Sequence, residues 1–254
     1  MTEHKQKQLN EKQLNKLVKD AGDWFKTTII ENHIKNTKKL VNPKNFKINR
    51  LLARYLAIYY GGKLSAKNIA KTLILPRILG TSITTSMGTN LQNFIPSVMA
   101  ANFGSAIKGI DIEFIDRKDG KKKYAQLKMG PQTINNDDIK TIHDHFTTIR
   151  RTAKTNKLDI TLNDLVVCTL YGNESEINGN YKQLRDSHHY PLYIGEEFWE
   201  RLTGDKEFFD KLEKEFQKQS AKLQTKKMIK NVIKKLANTN EIKELADQFE
   251  KITE

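Results

Sequence analysis

Apolar residues recur at steps of three and four along the first forty residues, and Lys, Gln and Glu fill the positions between them. This is the period of an amphipathic helix, so the pattern predicts a helix over residues 5–40. The pair Asn42-Pro43 ends it, because proline disrupts a helix. Two further helices are predicted, one over residues 49–60 before a Gly-Gly pair, and one from the N-cap Ser65 that Pro76 stops.

The middle of the chain alternates between helical and strand patterns. The predicted elements are a helix over residues 86–102, a strand over 109–115, a tight turn at Asp119-Gly120, a strand over 124–129, a helix over 136–150 with Asn136 or Asp137 as its N-cap, and a buried strand over 164–171. Residues 196–254 are helical again. Helices that alternate with a hairpin and a buried strand indicate an α/β fold with a mixed sheet.

The balance of charge favours a polyanionic partner. The chain has 254 residues, with 44 Lys and Arg against 30 Asp and Glu, a net charge of +14, and such side chains replace counterions along a phosphate backbone. The single cysteine, Cys168, excludes an internal disulfide and a cysteine-rich zinc site. No apolar run approaches the roughly 20 residues that span a bilayer, and the N-terminus has no apolar signal region. We therefore expect a soluble cytoplasmic protein with no membrane partner, whose lysine runs are solvated helix faces rather than dedicated arms.

Three polar side chains interrupt the apolar pattern of the predicted hairpin. Gln126 and Lys128 point to one face of the second strand, because side chains alternate along a strand, and Asp111 on the first strand can lie opposite them. This set suits metal-assisted hydrolysis of a phosphodiester, in which Asp111 holds Mg²⁺ or Mn²⁺. Lys128 would position or deprotonate water and offset charge on the phosphate. The spacing alone is a weak signal, and an ordinary amphipathic hairpin with a charged outer face is the alternative.

Taken with its neighbours, the hairpin resembles the core of the PD-(D/E)xK nucleases, in which Ile110-Asp111 and Gln126-Leu127-Lys128 match the two signature elements. Further segments resemble, in the same order, type II restriction endonucleases that cut split GGNCC-containing sites; they are residues 74–80, 94–96, 127–130, 170–173, 181–185 and 193–199. The resemblance covers about residues 70–205. It implies an α/β, mixed-sheet restriction-endonuclease-like core flanked by N- and C-terminal helices.

The extent of the resemblance, together with the helical patterns on either side of it, predicts three regions along the chain. Residues 1–72 form an N-terminal helical region that is a candidate for dimerisation or for clamping DNA. Residues 73–205 form the catalytic nuclease core, and residues 206–254 form Lys-rich C-terminal helices.

The metal is expected at Asp111, Gln126 and Leu127, with one departure from the family pattern. The family usually carries Asp or Glu two residues before the lysine, and here an amide stands in that place, in Gln126. An amide oxygen can bind a metal but has no charge, so we expect weaker binding at that ligand. Glu113, on the same strand face as Asp111, and Gln92, on the preceding helix, are the further candidates for the catalytic set.

Two segments are candidates for contacting DNA. The first follows the lysine into a helix N-terminus, where backbone N–H groups bind phosphate and amide side chains read base edges; plain helix capping is the alternative. The second is a polar loop with an arginine that can pair with guanine or grip a phosphate. The predicted DNA-binding residues are Gly130, Gln132, Thr133, Asn135, Asn136, Lys182 and Arg185.

These inferences predict a type II restriction endonuclease that hydrolyses both strands of double-stranded DNA at a short, palindromic site, with Mg²⁺ or with Mn²⁺ in its place. A palindrome requires a two-fold symmetric reader, so we expect a homodimer. The resemblance also implies a separate cognate DNA methyltransferase in a bacterial or archaeal cell. Two alternatives stay open: a structure-specific repair or recombination nuclease, and a catalytically inactive DNA-binding protein on the same fold.

Overall fold

The structure is a computed structural model that describes residues 9–91, 94–95 and 107–247. The helices in these ranges are α1 (Glu11–Trp24), α2 (Glu31–Lys39), α3 (Arg50–Gly61), α4 (Ala66–Pro76), α5 (Ser82–Leu91), α6 (Asn136–Thr155), α7 (Gly179–Asp186), α8 (Glu196–Thr203), α9 (Phe208–Ala221), α10 (Thr225–Ala237) and α11 (Asn240–Asp247). The strands are β1 (Ile112–Ile115), β2 (Lys122–Lys128), β3 (Leu165–Thr169) and β4 (Leu192–Ile194). Among the residues described, no helix combines the length and the apolar character needed to span a membrane. Of the helix predicted over residues 86–102, Gln92, Asn93 and residues 96–102 lie outside these ranges, and residues 86–91 and 94–95 are helical.

Local side chains set the ends of α3 and α4. The Asn49 side chain accepts a hydrogen bond from the Leu52 N–H at 3.1 Å, and Gly62 takes the left-handed conformation, with φ of 71°, that closes α3. The Ser65 hydroxyl accepts from the Asn68 N–H at 3.3 Å at the start of α4. Both predicted helix starts are confirmed.

Pro76 does not end the helical backbone, contrary to the prediction. The π-helical segment Arg77–Thr81 follows α4 directly and leads into α5. Proline lacks an N–H and its ring crowds the carbonyl of the preceding turn, and a widened π turn accommodates both defects without breaking the helix. A second π-helical segment, Phe25–Ile30, joins α1 to α2, so the helix predicted over residues 5–40 is continuous from Glu11 to Lys39, and the described residues 9 and 10 precede it.

The four strands form one mixed sheet in the order β1-β2-β3-β4. β1 and β2 make the predicted antiparallel hairpin, with Ile112 opposite Ala125, while β2 pairs with β3 and β3 with β4 in parallel. Gly120 lies in the hairpin turn with φ of 71°, a conformation that glycine adopts without strain. The α/β class with a mixed sheet is therefore confirmed.

The chain divides into two compact units. We name residues 1–24 and 89–218 the sheet unit, and residues 25–88 and 219–254 the helical unit. The helical unit has its own core, in which Ile69 and Ile74 of α4 pack with Val232 and Leu236 of α10. The division into three regions by role, at residues 72 and 205, stays a prediction.

In the sheet unit, α6 covers the face of the sheet that matters for the predicted site. Phe146 of α6 packs with Val167 of β3, and Val167 is the partner of Gln126 in the register of β3 with β2. The opposite face is covered by α8, where the ring of Phe198 lies 6.2 Å from that of Phe114. Gln126 is therefore enclosed between the sheet and α6, whereas Asp111 on the same face is exposed.

Candidate active site

Asp111 lies immediately before β1, and its carboxylate is bound to the neighbouring strand. Its N–H donates to the Ala125 carbonyl at 3.0 Å, and its Oδ2 accepts from the Leu127 N–H at 2.6 Å. Burial raises the pKa of this carboxyl above its usual value, although the Leu127 hydrogen bond and the charges of Lys128 and His145 oppose the shift. The residue is nevertheless exposed to solvent, so a cation can reach its carboxylate and would favour the ionised form.

Lys128 ends β2, and a carboxylate from α6 holds its ammonium group. Nζ lies 2.8 Å from Oδ1 of Asp138, and the two side chains are 18% and 28% exposed. Partial burial alone would raise the pKa of Asp138, but the hydrogen bond from Lys128, the hydrogen bond from the Asn135 N–H and the charge of Lys128 together lower it. Asp138 is therefore ionised at neutral pH and fixes the ammonium at the surface of the sheet unit.

The register of the hairpin places Asp111 and Lys128 on one side of the sheet. Because Ile112 pairs with Ala125, the preceding residue, Asp111, stands opposite Gln126. Directly opposed residues of an antiparallel pair share a face, and so do residues two apart on one strand. The structure thus brings the predicted acid and the predicted amine together.

Gln126 directs its amide nitrogen into the protein. Nε2 donates to the Gly109 carbonyl at 2.6 Å and lies 2.7 Å from Nδ1 of His145, and the residue is 7% exposed. Gly109 has φ of 88°, and a Cβ there would collide with the His145 ring. A glutamate at position 126 would set a carboxylate oxygen against the Gly109 carbonyl, so an amide suits these surroundings. When His145 accepts at Nδ1, both amide hydrogens are used and Oε1 is the atom that remains for a cation.

The other two candidates for the catalytic set are placed less favourably. Glu113 forms an ion pair with Lys122 in which Oε2 and Nζ lie 2.6 Å apart. The hydrogen bond to Glu113 raises the pKa of Lys122 despite partial burial, so Lys122 keeps its charge. A cation would have to compete with Lys122 for this carboxylate. Gln92 lies outside the described residues.

Asp138 and His145 are contacts of the predicted site that no sequence pattern singled out. They are seven residues apart on α6, so they lie on one side of the helix, next to the buried Ile142. The signal available in the sequence for these contacts was a pair of polar residues beside the apolar stripe of the helix. That signal does not say which strand the helix covers, so their contacts with Lys128 and Gln126 depend on the tertiary fold.

The segment that follows Lys128 is built as a helix cap. The Asn135 side chain accepts from the Asp138 N–H at 3.0 Å, and Oδ2 of Asp138 accepts from the Asn135 N–H at 3.0 Å. Helix capping is therefore confirmed for Asn135. The predicted N-caps, Asn136 and Asp137, are wrong by one or two residues, because the reciprocal pair of hydrogen bonds requires Asn135 and Asp138, three positions apart.

A buried tyrosine fixes the turn between β2 and this cap. The Thr133 hydroxyl donates to the Gly130 carbonyl at 2.8 Å, and the Tyr181 hydroxyl donates to the same carbonyl at 2.9 Å. Burial raises the pKa of Tyr181, so it remains a neutral donor. Gly130 and Thr133 thus shape the turn and are not simply free to bind a ligand.

The remaining predicted DNA-binding residues lie at the surface. Arg185 forms ion pairs with Asp186 at 2.7 Å and Glu174 at 2.6 Å. Its guanidinium would have to exchange these carboxylates for a base or a phosphate. The exposed members of the predicted set are Gln132, Thr133, Asn135, Asn136 and Lys182.

Segments that carry the family resemblance meet at the carboxyl ends of the parallel strands. The Leu170 N–H donates to the Lys128 carbonyl at 3.2 Å, and the Trp199 indole N–H donates to the Leu170 carbonyl at 2.9 Å. The Gly195 N–H donates to the Thr169 carbonyl at 3.1 Å. In open α/β sheets, ligands bind outside this edge. The edge of the sheet where Lys128 ends β2 is therefore the candidate active site.

Comparison with known proteins gives one family. The model of the family described as type II restriction endonuclease EcoO109I matches residues 12–225 of the chain. No curated protein matches the chain.

Proposed function

Because the chain belongs to the family of the type II restriction endonuclease EcoO109I, we propose that it cuts both strands of duplex DNA at a short palindromic site, with Mg²⁺ as its cofactor. The resemblance seen in the sequence is confirmed at the level of the family, whose members are type II site-specific deoxyribonucleases. The observation that carries the proposal is the pair of Asp111 and Lys128 on one face of the hairpin. A split GGNCC-containing site is proposed from the resemblance of the segments around that hairpin.

The residues at the hairpin fit a hard divalent cation. Asp111 is a solvent-exposed residue whose carboxyl pKa is raised by partial desolvation, against the Leu127 hydrogen bond and the charges of Lys128 and His145. Oε1 of Gln126 is directed away from the two groups that engage its amide nitrogen. Within the described ranges, no three His, Cys, Asp or Glu residues cluster closely enough to hold a metal. Mg²⁺ is commonly held by one or two carboxylates together with substrate phosphates. We therefore assign it to Asp111, Gln126 and the Leu127 carbonyl, completed by DNA.

Each residue of the hairpin has a separate task in the proposed reaction. The bound ion would polarise the scissile phosphate. Lys128 donates hydrogen bonds to a phosphate oxygen and offsets the charge that grows there as water attacks. Asp138 keeps the ammonium in position through this ion pair, and we assign Lys128 to charge stabilisation rather than to removing a proton from water.

Digestion of bacteriophage DNA tests the proposed function. Purified protein with Mg²⁺ should give discrete bands, and sequencing of the ends should place every cut in one palindromic GGNCC-containing sequence. Two duplexes that differ by one base pair inside that sequence form the matched pair, of which only the cognate duplex should be cut. A smear, or intact DNA with Mg²⁺ and with Mn²⁺, would contradict the proposal. Cutting of branched but not of linear DNA would instead favour a structure-specific nuclease.

We propose that the enzyme acts as a homodimer and that α3 provides a contact between the copies. Large apolar side chains are exposed along this helix: Leu51, Leu52, Tyr55, Ile58, Tyr59 and Tyr60. Contiguous exposed apolar surface marks an interaction site in soluble proteins. Two copies related by a two-fold axis would present the same face to each other and one active site to each DNA strand.

A charge on α3 should separate the copies. Tyr59 is 78% exposed, and Tyr59→Glu would bring two carboxylates into a two-fold contact. We expect sedimentation to change from about twice the 29.4 kDa chain mass to the chain mass itself, with double-strand cleavage lost at the same protein concentration. Leu79→Glu is the matched control, because Leu79 is 72% exposed but lies outside α3. A wild-type protein that sediments as a monomer would refute the dimer.

We further propose that the cytoplasm of a bacterial or archaeal cell contains the enzyme together with a separate methyltransferase. The proposal rests on the chemistry of the reaction: an enzyme that cuts a short sequence would also cut its host genome unless those sites were modified.

A further inference from the structure

The excess positive charge of the protein lies entirely in the helical unit. Residues 25–88 and 219–254 contain 20 Lys and Arg against 6 Asp and Glu, a net charge of +14. Residues 1–24 and 89–218 contain 24 of each, a net charge of zero. The sheet unit, which holds the hairpin, therefore has no net charge to attract a polyanion. The whole net positive charge lies in the helical unit.

Part of this charge converges on a groove between α4 and α10. Lys67 and Lys71 lie one turn apart on α4, and Lys230 and Lys234 lie one turn apart on α10. All four line a groove of about 590 Å³ together with Ile233, Ala237 and Asn238. The two helices pack through the apolar core of the helical unit, so a folded core fixes the backbone positions of these lysines.

The four lysines of the groove have no carboxylate partner among the residues that the structure describes. Across residues 9–91, 94–95 and 107–247, none of the four ammonium groups has an acidic oxygen within 4.0 Å. Lys71 lies near the ring of Tyr60, with Nζ 5.5 Å from its centroid. This contrasts with Lys128 and Arg185 in the sheet unit, which both have carboxylate partners. Within the part of the chain that the structure describes, the groove therefore concentrates positive charge that no ion pair compensates.

The stability of α4 does not explain the presence of a lysine at position 67. It lies in the first turn of α4, which contains no acidic residue. The positive end of the helix dipole disfavours a cation there by a few tenths of a kcal/mol to about 1 kcal/mol. Lys71 then adds a like charge four residues further on the same helix face, which is also unfavourable. An anion bound in the groove would relieve both repulsions.

We propose that this groove binds the phosphate backbone of duplex DNA outside the cleavage site. The inference rests on the proposed function, because that function makes duplex DNA the substrate. Two lysines one turn apart on each of two helices form a four-cornered array of flexible point charges, which suits rows of phosphates better than the edges of bases. The groove then contributes affinity without regard to sequence, and the hairpin face contributes the reaction.

The salt dependence of DNA binding tests the groove. We would measure binding of a fluorescent duplex without a GGNCC sequence, by anisotropy in EDTA, from 50 to 200 mM salt. The test variant carries Lys67→Gln, Lys71→Gln, Lys230→Gln and Lys234→Gln. The control variant carries Lys35→Gln, Lys38→Gln, Lys44→Gln and Lys47→Gln, which removes the same charge from exposed positions of the same unit.

The groove variant should lose about 3 to 4 from the slope of log K against log salt, because each phosphate contact contributes about 0.9. The control variant should lose less than 1. The melting temperature of the control variant should equal or exceed that of the wild type, because its substitutions remove like charges from exposed sites. Equal slopes for the two variants would overturn the inference. A groove variant with the wild-type slope but an altered oligomeric mass would also overturn it, and would identify the groove as a contact between copies.

The outcomes separate this inference from the proposed function. If the wild type cuts phage DNA into bands and both variants keep the wild-type slope of log K against log salt, DNA binding by the groove is refuted and the proposed function is not. A wild type that cuts no DNA, but whose duplex binding still depends on the four lysines, would refute the proposed function and leave the groove standing.

Discussion

Replacement of Lys128 by alanine is expected to lower the rate of DNA cleavage by about 10²- to 10³-fold, the effect of removing one preorganised donor from a developing oxyanion. The ammonium lies at the end of β2, where Asp138 holds it 2.8 Å away. Single-turnover cleavage of a cognate duplex measures the change. DNA affinity in EDTA should change little, because one phosphate contact among many is lost.

Two companion variants locate this effect. Lys140→Ala removes an exposed lysine from α6 and should cleave at the wild-type rate. Asp138→Asn keeps Lys128 but weakens its anchor, so the rate should fall by about tenfold, less than for Lys128→Ala. Equal rates for Lys128→Ala and the wild type would remove Lys128 from the reaction, and an inactive wild type that still binds DNA would favour a binding-only protein.

Asp111→Asn is expected to abolish metal-dependent cleavage, with a loss of about 10²-fold or more, since a bound metal contributes several kcal/mol to the transition state. The same variant should be more stable than the wild type at neutral pH in EDTA. Burial raises the pKa of Asp111, so the folded state disfavours the ionised carboxylate, and a neutral amide avoids that cost.

The sign of this stability effect depends on pH. Below the ordinary aspartate pKa of about 4, the carboxyl is protonated in both the folded and unfolded states and the variant should gain nothing. As pH rises from about 4 through the raised pKa of the folded state, the unfolded wild type ionises first, so wild-type stability falls relative to the variant. The gain then stays constant at higher pH.

Thermal unfolding with and without Mg²⁺ measures both effects of Asp111. Mg²⁺ should stabilise the wild type and not Asp111→Asn, because a ligand stabilises only the state that binds it. Asp144→Asn, an exposed position on α6, is the control and should respond to Mg²⁺ as the wild type does. If Glu113→Gln removed the response and Asp111→Asn kept it, the metal would belong to the other acid of the hairpin.

Features governed by neighbours in the sequence were predictable. The caps at Asn49 and Ser65 and the strands of the hairpin depend on residues within a few positions, and all are present. The opposition of Asp111 to Gln126 and Lys128 also followed from the alternation of side chains along paired strands. The continuation of the helix past Pro76 did not follow, because a π turn depends on the packing of the flanking helices as well as on the proline itself.

The sequence by itself determined the hairpin, its acid and its lysine, and the total charge of +14, because these depend on composition and on the period of a strand. Only the tertiary structure decided that Asp138 holds Lys128, that His145 and Gly109 engage the Gln126 amide, and that the whole charge excess lies in the helical unit. Those contacts join residues whose separation along the chain carries no signal of proximity. The packing of α6 on the sheet, and of α4 on α10, brings them together.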